Sequence, residues 1–112
     1  MTGDDLVTNL AALAHPLRIR ALALLHKNGA VHVSELARMV GISRPLLILH
    51  VRKLEAAGLI KSKMKLSDDG KAMNMLSVTP FSLEVNPKML AEVASSLTLP
   101  SHAKLNQTKD KK

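Results

Sequence analysis

The most constraining stretch of the sequence runs from Ser34 to Leu66, where two helical patterns stand three residues apart and a strand pattern follows at once. Ser34 to Val40 carries Leu36, Ala37 and Val40 on one helical face, and Gly41 stops it. Only a tight turn, Gly41 to Ser43, precedes the next helix, about 43–57. Ser43 can cap its free N–H groups, Pro45 sits in the first turn where a missing donor costs little, and Gly58 can close the far end in the left-handed conformation. Two helices joined by so short a glycine turn make a helix-turn-helix, a motif whose second helix enters the major groove of DNA. Many helix pairs with a glycine turn bind nothing, so the pattern needs support from its neighbours.

Support comes from residues 60–66, IKSKMKL, which alternate strictly: Lys61, Lys63 and Lys65 on one face, Ile60, Ser62, Met64 and Leu66 on the other. The turn cluster Ser67-Asp68-Asp69-Gly70 leads to a second strand around Ala72–Val78, in which Met73, Met75 and Val78 take the apolar or inward roles. A basic hairpin, about 60–78, placed directly after a helix-turn-helix reads as a wing. The expected fold is therefore mainly α with a small β-hairpin wing, an α+β winged helix-turn-helix.

Upstream, residues 4–14 set Leu6, Leu10 and Leu13 on one stripe, and a helix from about Leu17 to Lys27 turns Leu17, Ala21, Leu24 and Leu25 inward before Asn28-Gly29. Downstream, Phe81, Leu83 and Val85 suggest an extended link, and Pro87 opens a last helix through about Leu97 with Met89, Leu90, Val93 and Leu97 as its apolar positions. Residues 1–99 thus read as one domain, and residues 100–112 as a lysine-rich disordered tail.

Charge narrows the partner. The formal net charge is +7, and between Arg44 and Lys71 stand Arg44, Arg52, Lys53, Lys61, Lys63, Lys65 and Lys71 against only Glu55, Asp68 and Asp69. Cations gathered on the second helix and the wing suit a polyanion. Phe81 is the one aromatic residue, so base-stacking platforms for single strands are nearly excluded, whereas double-stranded DNA, held through phosphates and groove edges, is not. There are no cysteines and no histidine stands three or four residues from another, so we expect no metal, no cofactor and no thiol chemistry. No Gly-rich phosphate loop, paired-carboxylate arrangement or Ser/His/Asp grouping points to an enzyme. No apolar run reaches about 18 residues, and no leader pattern opens the chain, so a cytoplasmic, nucleoid-associated protein without a membrane partner is expected.

The stretches LAHPLRIRALALL (13–25), VSELARMVGIS (33–43) and HVRKLEAAGLI (50–60), with the wing, resemble the arsenical-resistance-repressor (ArsR) type of winged-helix transcription regulators, in a form common in archaea. The similarity covers about residues 10–80. It implies a homodimer paired through the first and last helices, here Leu6, Leu10 and Leu13 with Met89, Leu90, Val93 and Leu97, and it places His50 where relatives approach DNA. Metal-sensing members carry Cys on the helix matching 34–40 or Asp, His and Glu pairs on the last helix; this chain has only Glu92, with Glu84 before it and His102 beyond.

Leu46, Leu47, Ile48 and Leu49 are consecutive, so at about 100° per residue one core face cannot take all four. With Leu47, Val51 and Leu54 inward, the DNA-facing set becomes Arg44, Leu46, Leu49, His50, Arg52 and Lys53, joined by Lys61, Lys63, Lys65 and Lys71. Leu46 and Leu49 would touch thymine methyls, which supply no hydrogen-bond code; alternatively Leu46, Ile48 and Leu49 pack against the core or a partner. Three functions fit these features: a dimeric regulator, in particular a repressor occupying promoter DNA; a nucleoid-type protein coating DNA with low specificity; or a winged-helix protein-interaction module.

Overall fold

The computed structural model describes residues 1–100. In chain order it forms α1 (Gly3–Leu13), α2 (Pro16–Asn28), β1 (Val31–His32), α3 (Val33–Val40), α4 (Arg44–Ala56), β2 (Ile60–Leu66), β3 (Ala72–Val78) and α5 (Pro87–Val93), the last followed by a 3-10 turn, Ala94–Ser96. Two compact units result, Thr8–Ser82 and Met1–Val7 together with the described residues after Ser82.

Within Thr8–Ser82 the helix ends follow from local chemistry. Gly41 sits at φ 91°, and both its own N–H and that of Ile42 return to the Ala37 carbonyl at 2.9 and 3.1 Å. Gly58, at φ 74°, donates to Glu55 O at 2.9 Å while Leu59 N–H reaches back to Leu54 O at 3.0 Å. This paired closure satisfies carbonyls that a helix otherwise leaves free, and it aims the chain sharply away from the axis it has just left. At the other ends, His15 and His32 do what Ser or Asp more often does. Each imidazole Nδ1 accepts a backbone N–H two residues on, from Leu17 and Ser34 respectively, at 3.1 Å. The third helix therefore starts at Val33, and its cap is His32.

The sheet has three antiparallel strands in the order β1-β3-β2 rather than the two of a simple hairpin. Val31 pairs with Leu76 and His32 with Met75; across the hairpin, Ile60 pairs with Val78, Ser62 with Leu76, Lys63 with Met75 and Lys65 with Met73. Because opposed residues share a face, this register corrects the expected inward roles of Met73 and Met75. Both lie on the lysine face, and the inward residue of β3 is Leu76, which is fully buried.

The core takes Ala21, Leu22 and Leu25 from α2, Val33, Leu36 and Val40 from α3, Leu47, Val51 and Leu54 from α4, with Leu59, Ile60 and Leu76. Leu36, Leu47 and Leu54 are nearly inaccessible; truncating one such leucine to alanine costs about 2–5 kcal/mol, which fixes α3 and α4 firmly against each other. Leu13 packs partly against this core as well.

In the other unit, α5 is capped by Asn86, whose Oδ1 accepts from Met89 N–H at 2.8 Å. Gly3 approaches so closely that a Cβ there would lie 2.6 Å from the Val93 carbonyl and 2.7 Å from Leu97. Gly3 N–H donates to Ser96 Oγ at 2.7 Å, and Asp4 accepts from both the N–H and the hydroxyl of Thr98 at 2.8 and 2.7 Å. Those two bonds hold the Asp4 carboxyl below its usual pKa. Leu6 is consequently buried within the protomer, which corrects its expected place on a dimer face. Met89, Val93 and Leu97 are half-buried, while Leu10 and Leu90 remain exposed. The expected tail lies outside the described residues beyond Pro100, and among the described residues no helix is long and apolar enough to cross a membrane.

Candidate nucleic-acid interface

Ser43 opens α4 by accepting the Leu46 N–H on its hydroxyl at 3.3 Å, and Pro45 occupies the first turn. With Leu47, Val51 and Leu54 fixed inward, helical periodicity carries Pro45, Leu49, Arg52 and Ala56 to the opposite side, flanked by Leu46 and Lys53. The exposures agree: Leu46 is 40% and Leu49 58% accessible, and Arg44, Arg52 and Lys53 are all exposed. Ile48, on the other flank, is half-buried and packs against the core. So the four consecutive apolar residues divide, one fully inside, one at the margin and two out.

His50 is the correction on this helix. Only 9% of it is accessible, with its ring centroid 4.5 Å from that of His15 and its Nδ1 3.4 Å from Arg18 Nη1. Burial first, and then the neighbouring His15 and Arg18, push its pKa below the ordinary value. Arg18 itself is engaged, donating from Nε to the Ala12 carbonyl at 2.7 Å and from Nη2 to that of Ala11 at 3.3 Å, where α1 ends with free acceptors. His50 therefore ties α4 to the α1–α2 corner and is almost wholly enclosed.

On the wing, Lys61, Lys63 and Lys65 all project from one face and all are exposed. Their cross-strand neighbours are Ser77, Met75 and Met73, so no carboxylate opposes them. Glu55, the one acid of α4, accepts from Ser62 Oγ at 2.9 Å, and Ser62 belongs to the opposite face of β2. The acid is thereby held away from the lysines. Lys61, Lys63, Lys65, Met75, Ser77 and Ala30 bound a shallow concavity of about 600 Å³. At the hairpin turn Lys71 lies 3.9 Å from Asp69, a loose and highly exposed pair. Asp69 accepts from the Ser67 hydroxyl and its carboxyl is held below the usual range. Among the described residues, the ion pairs are this one and Arg38 with Glu35, so Arg44, Arg52, Lys53 and the three wing lysines carry unneutralised charge. Nor do the described residues gather three metal-ligating side chains in one place.

A helix pair with a left-handed glycine turn, followed by a cationic hairpin that completes a three-stranded sheet with β1, is the geometry now in hand. Residues 15–61 match the family model described as winged helix-turn-helix DNA-binding. The fold is a winged helix-turn-helix. It is 29% identical over 89 residues to an uncharacterized HTH-type transcriptional regulator of Methanocaldococcus jannaschii, a match that covers 80% of this chain and 92% of the relative. Among solved structures, this winged helix resembles the transcriptional repressor BigR from Xylella fastidiosa, at 21% identity and a TM-score of 0.57 over 82% of each chain. It is also similar to an ArsR family transcriptional regulator, at 24% identity and a TM-score of 0.57 over 95% of this chain and 93% of that one.

The sequence-based reading missed three features of this winged helix: β1, the His32 cap and the enclosure of His50. A two-residue strand has no period to detect. The His15-Pro16 and His32-Val33 steps did carry a signal, a side-chain acceptor just before a helical run, which a search confined to Ser, Thr, Asp and Asn passes over.

Proposed function

We propose that this protein is a homodimeric transcription regulator that represses by occupying promoter DNA, acting by binding and not by catalysis. In this reading α4 lies in the major groove, with Arg44, Arg52 and Lys53 reaching phosphate or base edges. The lysine face of β2, with Lys71 at the hairpin turn, follows the adjacent backbone. The observation that carries it is the coincidence of unneutralised charge with shape. The two elements a winged helix presents to a duplex are also the two that bear cations without carboxylate partners.

Dimerisation is part of the proposal because a two-fold pair places two α4 helices on successive half-sites. Exposed Leu10 on α1 and Leu90 on α5 are the residues offered for pairing, together with the outer edges of Met89, Val93 and Leu97. The regulator and repressor names of the similar proteins point the same way. A second reading, a nucleoid-type protein with low specificity, draws support from the exposed Leu46 and Leu49, which supply no hydrogen bonds to base edges. Sedimentation of the protein with a short promoter duplex and with a random one decides between them. Two protomers per preferred duplex, bound at least a hundredfold tighter than random DNA, are expected, whereas equal affinity for both would favour the coating protein.

A further inference from the structure

Leu46 and Leu49 are the two large apolar side chains that α4 leaves uncovered, and Arg44 precedes them and Arg52 and Lys53 follow them along the helix. At the helical rise of about 1.5 Å per residue, three residues separate them by about 4.5 Å along the axis, comparable to the roughly 3.4 Å between successive base pairs. Of the four DNA bases, only thymine places a methyl group on the floor of the major groove. We propose that Leu46 and Leu49 determine sequence preference by packing against the C5-methyl groups of thymines in two neighbouring base pairs of each half-site, an inference that rests on the DNA-binding reading above.

Charge complementarity selects this occupant. Arg44 precedes the pair, and Arg52 and Lys53 follow it within about one turn of Leu49. None of the three forms a salt bridge among the described residues. A second copy of the same face, docked by a two-fold axis, would set these cations against themselves, and an apolar protein surface would strip their water without returning a counter-charge. A duplex groove offers phosphates at its walls and methyls on its floor. Discrimination of this type comes from shape and desolvation, so it favours A·T pairs whose thymine methyl lies on the side of the groove that the leucines reach.

The test uses the full chain and its preferred duplex, obtained by selection from a random library, alongside the same duplex with every thymine replaced by deoxyuridine. Uracil keeps each hydrogen-bonding edge and removes only the methyl. Binding should weaken about fourfold for each contacted methyl, hence about fifteenfold for the adjacent pair of one half-site and roughly two-hundredfold for a dimer on two half-sites. The exposed substitution Leu49→Ala should bring the two duplexes closer together while leaving the salt dependence of binding as it was. Equal affinity of the wild-type protein for the thymine and uracil duplexes, with tight binding to both, would overturn the methyl reading alone. So would a Leu49→Ala protein that still distinguishes them as the wild type does, since the leucine pair would then serve another surface. Failure to bind any duplex would overturn the DNA-binding reading, and this inference with it.

Discussion

Removing the wing lysines tests whether β2 meets phosphate, and the structure sets the size of the effect. Lys61, Lys63 and Lys65 alternate along a regular strand at about 3.3 Å per residue, so their stems leave the same face about 6.6 Å apart and the three span about 13 Å. Each cation that neutralises a phosphate releases condensed counterions and steepens the dependence of log K on log salt by about 0.9. Lys63→Ala should therefore lower the slope by about 0.9 per bound protomer, or about 1.8 for the dimer, and the triple alanine variant by about 2.7 per protomer, or about 5.4 for the dimer. Between about 50 and 200 mM salt, the triple variant should lose roughly fortyfold less affinity per bound protomer than the wild type. All three side chains are exposed and face neutral partners, so thermal melting should not move appreciably. Fluorescence anisotropy across a salt series, on the preferred and on a random duplex, reads the slope directly. If the triple variant keeps the wild-type slope on both duplexes while melting normally, the wing does not lie on the backbone.

Other outcomes follow from the same geometry. Arg44→Ala, at the opening turn of the recognition helix, should weaken the preferred duplex more than random DNA by about 1–3 kcal/mol if it reaches a guanine; a uniform loss on both would show that it serves phosphate. Because His50 has its pKa lowered by burial, the unfolded chain binds more protons than the folded one below the ordinary histidine value of 6.5. Stability should accordingly be full above that pH and fall as pH drops from 6.5 toward the folded-state pKa, levelling below it. Urea midpoints at pH 7.5, 6 and 5 would show the fall, which should shrink in a His50→Gln variant. Leu10→Glu should split the dimer with little change in helix content, and sedimentation of a mixed or monomeric species only in the variant would support that. A wild-type monomer at micromolar concentration would contradict the pairing.

How much of this was legible beforehand depended on whether a feature was written locally. The strands Ile60–Leu66 and Ala72–Val78 were readable because alternation bounds the first and Ser67-Asp68-Asp69-Gly70 forces the reversal between them. Gly41 and Gly58 likewise marked helix ends that the backbone realises at positive φ. Facing was less readable. In AMNMLSV both Met75 and Leu76 are apolar, and which of them turns inward is set by pairing with Lys63 and Ser62, a long-range fact. The same holds for His50, whose enclosure depends on His15 and Arg18 more than thirty residues upstream. Leu6 looked available for a partner because the amphipathic stripe of a helix names a buried face without naming what buries it; here the cover comes from within the chain. On α4 helical spacing named Leu46 and Leu49 as outward but left open whether they and Ile48 pack against the core, and only the packing shows that Ile48 does while Leu46 and Leu49 stay exposed.

A regulator of the proposed kind occupies particular promoters and leaves most of the genome bare. Crosslinking the native protein to its own genome and sequencing the bound DNA measures that occupancy without assuming an operator. A limited set of sharp peaks upstream of genes is expected, enriched for paired A·T-containing half-sites about one helical turn apart. Broad coverage following DNA content, with no shared motif beneath it, would contradict the proposed regulator and assign the protein to the coating of DNA.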